Sequence, residues 1–314
     1  MNNRIAQIGR MNIWTTADPA SQAALQANKP LFDPPISVIG PRPTQSPLVF
    51  SFAHSGRQYP PEFLSQTRLT LRDLRRSEDA YVDQLFPDEA LKDACFIKAL
   101  FPRTWVDANR HPQAFDPEMF VDSVPVNAHQ SSLQVRAGFG VIPKLAAQGY
   151  PIYSHRLTFK QAGLRLKQTH IPYHQELKWR LMLAKQCFGF AILVDCHSMP
   201  SEARSESASG LAQIVLGDRH GRSCNSSLRD CLSNAISKQG FTINYNQPFA
   251  GGYSVQRYGK PDAGIHAIQI EVSRSLYMNE ETLEKNDNFK DISYRLTEVM
   301  RALQTFALSF DSQN

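Results

Sequence analysis

No run of about 18 consecutive apolar residues occurs in the 314 residues, which removes a helical membrane span from consideration. Cysteine is scarce. The five residues (Cys95, Cys187, Cys196, Cys224, Cys231) are odd in number and lack the close pairs of a zinc knuckle or a disulfide framework, so a reducing compartment is expected. A basic stripe with interleaved aromatics is also missing. The net charge of +5 comes from 34 Lys+Arg against 29 Asp+Glu, spread thinly. Its densest stretch, 68–76, is broken by leucines and Asp73, so it reads as a solvated helix face and not as a nucleic-acid surface. The first ten residues hold no apolar core of signal-peptide length, and the expected location is the cytoplasm. Neither an internal repeat nor a low-complexity tract is present.

What is there belongs to a globular chain: 42% hydrophobic and 20% charged residues, with enough length to bury a large core. The mild positive excess suits a small anionic substrate. Pro19, Pro30, Pro34, Pro35, Pro41 and Pro43 interrupt any regular pattern, so residues 1–45 read as an N-terminal extension lying over the surface, and 46–314 as one catalytic domain. From residue 47, short apolar runs alternate with helical periodicity. Strands are expected at 48–54, 105–107, 190–197 and 267–273. Helices are expected at 62–75, 78–93, 131–148, 174–188 and 225–239, with an amphipathic one at the C-terminus carrying Phe289, Ile292, Leu296, Val299, Leu303 and Phe306. This alternation predicts an α/β sandwich around a mixed, mostly parallel sheet, in which ligands gather at the carboxyl ends of strands.

His54 and His197 each close a buried strand and are each followed by serine, while Glu271 is an acid inside the apolar run Ile268–Val272. Two imidazoles, a carboxylate and an open water position make a hydrolytic zinc site. Asp79 is chosen as the carboxylate ligand over Glu78, Asp83 and Glu62. Beside a metal-bound water, Glu271 would act as general base, the alternative being an ion pair with Arg274. Arg110 offers a planar fork for a substrate carboxylate, with Asn109 adding a hydrogen bond. Gly251-Gly252-Tyr253 forms a turn able to close on a small ligand.

Several stretches then resemble one family. They are Ser51-Phe52-Ala53-His54-Ser55-Gly56, Asp79-Ala80-Tyr81-Val82-Asp83, Val106-Asp107-Ala108-Asn109-Arg110, Pro172-Tyr173-His174 and Asp195-Cys196-His197-Ser198-Met199, followed by 246–253 and 269–277. In this order the set resembles the N-formylglutamate amidohydrolases, relatives of the zinc carboxypeptidases. The resemblance implies a phosphorylase/hydrolase-like α/β/α fold and hydrolysis of N-formyl-L-glutamate to formate and glutamate, a step of histidine degradation. It implies zinc on His54 and His197, Glu271 as base, and Asn109 and Arg110 on the substrate carboxylate, with Arg274 or Arg103 as a second cation and Gly252 and Tyr253 at the substrate. Two positions depart from pattern: Ala53 stands where the family usually has proline, and Arg57 where the carboxypeptidases place their carboxylate ligand. Rival readings are a carboxypeptidase-like or cell-wall amidase activity on another N-acyl or peptide substrate, and a non-catalytic binding protein that keeps the fold.

Overall fold

The computed structural model describes residues 30–310 except 204, 208 and 209. Most of the expected N-terminal extension, residues 1–29, therefore lies outside the described residues. Chain contacts divide the protein into two compact units. One comprises Arg57–Glu78, Leu100–Pro172 and the chain up to Pro35; the other comprises Ile36–Gly56, Asp79–Ala99 and Tyr173–Asn314.

The second unit is built on a seven-stranded sheet. Its strands are β1 (Ile36–Ile39), β2 (Leu48–Phe52), β3 (Cys95–Ala99), β4 (Ala191–Met199), β5 (Ile214–Gly217), β6 (Ile243–Tyr245) and β7 (Ile265–Ser273), in spatial order β1-β3-β2-β4-β7-β5-β6. The central neighbours β3, β2, β4 and β7 run parallel, β1 and β5 join antiparallel to them, and β6 is parallel to β5. The sheet is thus mixed and mostly parallel. Part of the stretch read as an extension, Ile36–Ile39, serves as its edge strand.

Every residue of β2 and β4 is buried, which requires cover on both faces. Side chains alternate along a strand, and here the alternation sorts apolar from polar. Leu48, Phe50, Phe52, Ile192, Val194, Cys196, Ile268, Ile270 and Val272 enter one apolar core with Leu228, Leu232, Leu296, Val299 and Leu303. Those partners come from helices α2 (Ser226–Lys238) and α4 (Phe289–Ser309); the same unit also holds α3 (Tyr253–Tyr258) and most of α1 (Ile171–Phe188). Asn225 caps α2 through a hydrogen bond from Leu228 N–H, satisfying one of the free amides of its first turn. On the other face α3 packs on β4 and β7. Tyr173 of α1 is buried there near Asp195, and Tyr258 of α3 hydrogen-bonds His174 of α1 at 3.0 Å.

The first unit is made of turns and short helices such as Leu71–Arg75 and Phe159–Arg165. Its core holds Phe63, Trp105 and a fully buried Arg165. That guanidinium lies 3.7 Å from the Trp105 ring centroid and donates to Tyr153 Oη (2.6 Å) and Gln66 Oε1 (2.7 Å).

Four expected elements differ. The helix expected at 62–75 is two short ones, Pro61–Leu64 and Leu71–Arg75, parted where the Thr67 and Thr70 hydroxyls accept the backbone N–H groups of Leu69 and Asp73. Residues 105–107 form no strand, because Pro102 O accepts from both Trp105 N and Val106 N and turns the chain. The helix expected at 131–148 is confined to Leu133–Arg136; Gly138, at φ +85°, turns the chain out of it. The one expected at 78–93 is reduced to Val82–Leu85 and a turn at Asp88–Ala90, separated by Pro87 and preceded by Tyr81 in the left-handed region at φ +64°. No helix among the described residues is long and apolar enough to cross a membrane.

Candidate metal centre and active site

His54 lies just past β2, and His197 near the end of β4, at the carboxyl edge of neighbouring parallel strands. Asp79 joins them from far along the chain. Its N–H donates to His54 O at 3.0 Å and its O accepts from Ser55 Oγ at 3.2 Å. The side chains then converge: Asp79 Oδ2 stands 2.8 Å from His197 Nδ1 and 3.3 Å from His54 Nδ1. Among the described residues, His54, Asp79 and His197 are the one group of His, Cys, Asp or Glu whose ligand atoms lie close enough to hold a metal, all within 4.8 Å of one another. Two imidazoles and one carboxylate are the donor types of a hydrolytic zinc site, so the chemistry of this donor set fits that metal. Glu62, Glu78 and Asp83 fall outside the group. Glu78 accepts instead from Tyr59 Oη (2.7 Å) and pairs with Arg75, and burial, outweighing both, raises its carboxyl above the usual range.

A shell of hydrogen bonds fixes each member. Asp195 Oδ2 accepts from His197 Nε2 at 3.0 Å, and Asp195 Oδ1 accepts from Ser51 Oγ at 2.5 Å. A carboxylate on Nε2 sets the tautomer that leaves Nδ1 as the ligand atom. Arg274 Nη2 donates to Asp79 Oδ1 (3.1 Å) and Arg274 Nε to Ser198 Oγ (3.1 Å), while Ser198 Oγ donates to Asp79 Oδ1 (3.3 Å). Asp79 is 2% exposed and Arg274 8%, so these contacts hold charges that burial alone would expel.

The electrostatics follow. Burial works against the Asp79 anion, yet the hydrogen bonds and charge of His197 and His54 hold its carboxyl well below the usual range. Burial likewise opposes ionisation of Asp195, and His197 with Ser51 lowers its pKa nonetheless. For His197, burial favours the neutral ring, but Asp195 and Asp79 outweigh it and raise the pKa well above the ordinary value. His197 Nδ1 and Asp79 Oδ2 stand within hydrogen-bond distance, and a metal held by Nδ1 would compete with any proton shared between them.

Glu271 pairs in register with His197 across β4 and β7, so both side chains lie on the same face of the sheet about 4.8 Å apart along the ladder. The Glu271 carboxylate accepts from Gln269 Nε2 at 2.7 Å. Arg274, the alternative ion-pair partner of Glu271, donates to Asp79 and Ser198. Tyr253 stands edge-on to the His174 ring at 5.2 Å, and Gly252 N donates to Gln269 Oε1.

Asn109 and Arg110 belong to the other unit, where Asp107 organises them. Asp107 Oδ1 accepts from Asn109 N (2.8 Å) and Oδ2 from Arg103 Nε (3.0 Å); Arg110 Nε donates to Phe139 O (3.0 Å). Ser51, Asp195, Ser198 and Gln269 were not singled out from the sequence. The signal for Asp195 and Gln269 was available, because each is a polar residue inside an apolar strand, two positions before His197 and Glu271 respectively, and therefore on the same face.

Comparison with known proteins extends the geometry. The chain resembles the N-formylglutamate deformylase of Pseudomonas putida, 27% identical over 237 residues, covering 74% of this chain and 82% of that one. The deformylase of Pseudomonas aeruginosa is 26% identical over 238 residues, with 75% and 83% covered. The crystal structure of N-formylglutamate amidohydrolase from Ralstonia eutropha JMP134 superimposes with a TM-score of 0.79 at 30% identity, covering 88% of this chain and 99% of that chain. Residues 46–278 match the model of the N-formylglutamate amidohydrolase family, and the chain belongs to that family.

Proposed function

We propose that this protein is a zinc-dependent amidohydrolase that cleaves N-formyl-L-glutamate to formate and L-glutamate, acting in the cytoplasm as a step of histidine breakdown. The observation that carries the reading is the buried convergence of His54, Asp79 and His197, with Glu271 in register beside it, in a member of this family. Zinc on those three side chains supplies Lewis acidity toward a water and the formyl carbonyl oxygen. Glu271 takes a proton from the water as its oxygen attacks the formyl carbon, then gives it to the glutamate nitrogen as the C–N bond breaks. Asp195 holds the His197 ring, and Arg274 holds Asp79 while its charge adds to the attraction for an acidic substrate. Asn109 and Arg110 bind a substrate carboxylate, the planar fork matching its two oxygens. Gly252 and Tyr253 belong to the same substrate set.

The test combines metal analysis with formate release over a panel of N-acyl amino acids. One zinc per chain and preference for N-formylglutamate are expected. Glu271→Gln should retain zinc while turnover falls about 10²- to 10⁴-fold. Near-parental turnover in that variant would remove Glu271 from the chemistry, and full activity after chelation would remove the metal.

A further inference from the structure

We propose that Gln269 is a positioning residue that fixes the Glu271 carboxylate and ties it to the Gly251–Gly252 turn; this rests on the reading of Glu271 as general base. The two ends of a side-chain amide look alike in shape, so partners must decide its orientation. Here they do. Gly252 N–H can only donate, and it donates to Gln269 Oε1 at 2.7 Å, so the amide NH₂ faces Glu271 Oε1, also at 2.7 Å. The donated bond fixes the orientation of the Glu271 carboxylate.

The turn is brought to Gln269 by local sequence. Gly217 at the end of β5 is the register partner of Gln269, and a methyl group there would lie 2.8 Å from both Ala250 C and Gly251 N. The missing side chain is what lets the turn approach the strand. Arg219 N donates to Ala250 O at 2.8 Å, and Gly251 adopts φ +117°, open to glycine. Asn246, at the start of the same loop, accepts from Asp218 N (3.1 Å) and donates to Asp218 Oδ1 (2.8 Å). A loop fastened at both ends thus presents one N–H that orients one amide, and that amide orients the base.

The experiment measures kcat, KM, zinc content and the pH profile of Gln269→Met, alongside Glu271→Gln. Gln269→Met keeps bulk and removes the amide. Its kcat should fall about 10- to 100-fold, the range found for partners that orient reacting groups. KM should stay within about twofold, since ground-state binding is untouched. Zinc content should not change. The acidic limb of the kcat profile should move to higher pH, because a donor to the ionised carboxylate has been lost. Gln269→Leu also removes the amide and can neither donate nor accept, and its kcat should fall at least as far. Parental kcat and pH profile in a folded, zinc-loaded Gln269→Met would overturn the proposal. Should that variant not fold, parental kcat in Gln269→Leu would do so. If Glu271→Gln itself turns over normally, the reading of the base fails; if it is dead while the Gln269 variants are normal, only the positioning role fails.

Discussion

The two faces of the central sheet are written in the same strands, one residue out of phase, and have opposite chemistry. Phe50, Val194 and Ile270 face a core of aliphatic and aromatic side chains, whereas Ser51, Asp195 and Glu271, each one position along, stand with His197 and Gln269 on the other side. The first face is held by area removed from water and has no preferred partners. The second holds buried charge that stays only because each group is matched. Changes on the apolar face should therefore cost stability alone, and changes on the polar face should cost function first.

The largest expected effect is on the polar face. Asp79→Ala removes a carboxylate from between two imidazoles and leaves Arg274 buried without it. Zinc per chain should drop sharply, turnover should fall by the full contribution of the metal, and unfolding free energy should decrease by about 3–5 kcal/mol. Metal analysis and denaturant titration check this; a variant that keeps zinc and parental turnover would remove Asp79 from the ligand set.

On the apolar face, Phe50 is fully buried and stacks on Phe96 with centroids 4.9 Å apart. Phe50→Ala should lower stability by about 3–5 kcal/mol while kcat per folded, zinc-loaded molecule stays close to parental. A selective loss of kcat would show that the two faces are coupled. Next in size, Asp195→Asn keeps shape but weakens the hold on His197 Nε2, and zinc affinity should fall about 10- to 100-fold. Competition with a chelator measures it.

The smallest effect is the pH response of the metal-free protein. Asp79 and Asp195 have depressed pKa values, so their contribution is present above the unfolded value of about 3.9 and is lost as pH falls through the depressed ones. His197 is raised, so its contribution is complete below about 6.5 and is lost as pH rises through the raised value. Chelator-treated protein should therefore unfold at lower urea on the alkaline side of neutrality than on the mildly acidic side. Zinc binding near neutral pH should release protons, read as a buffer-dependent binding enthalpy.

The strands that carry the site were legible because continuous apolar runs ending in polar residues mark the middle of a parallel sheet. His54, His197 and Glu271 stood out for that reason. Asp195 and Gln269 obey the same rule, but their meaning lies in the spacing of two that puts each on the face of His197 or Glu271, which no single residue displays. The edge strand Ile36–Ile39 is hidden among prolines, β3 has Lys98 inside its apolar run, and the four-residue β5 lacks the length that would mark it. Gly217 could not be read at all, because its meaning depends on a loop that approaches from more than thirty residues later in the chain. Local punctuation explains the lost helices: Gly138, Tyr81 and Pro87 interrupt patterns that were otherwise helical.

One backbone hydrogen bond, from Asp79 N to His54 O, spans what the sequence separates by twenty-five positions. Between them the chain leaves one unit after Gly56 and re-enters it at Asp79. Ligand spacing along the chain is consequently free to drift: residues can be gained or lost in that excursion while the two donors stay clasped at its neck. A search for such clusters by fixed spacing would pass over this protein, and selection could reshape the excursion without moving the cluster.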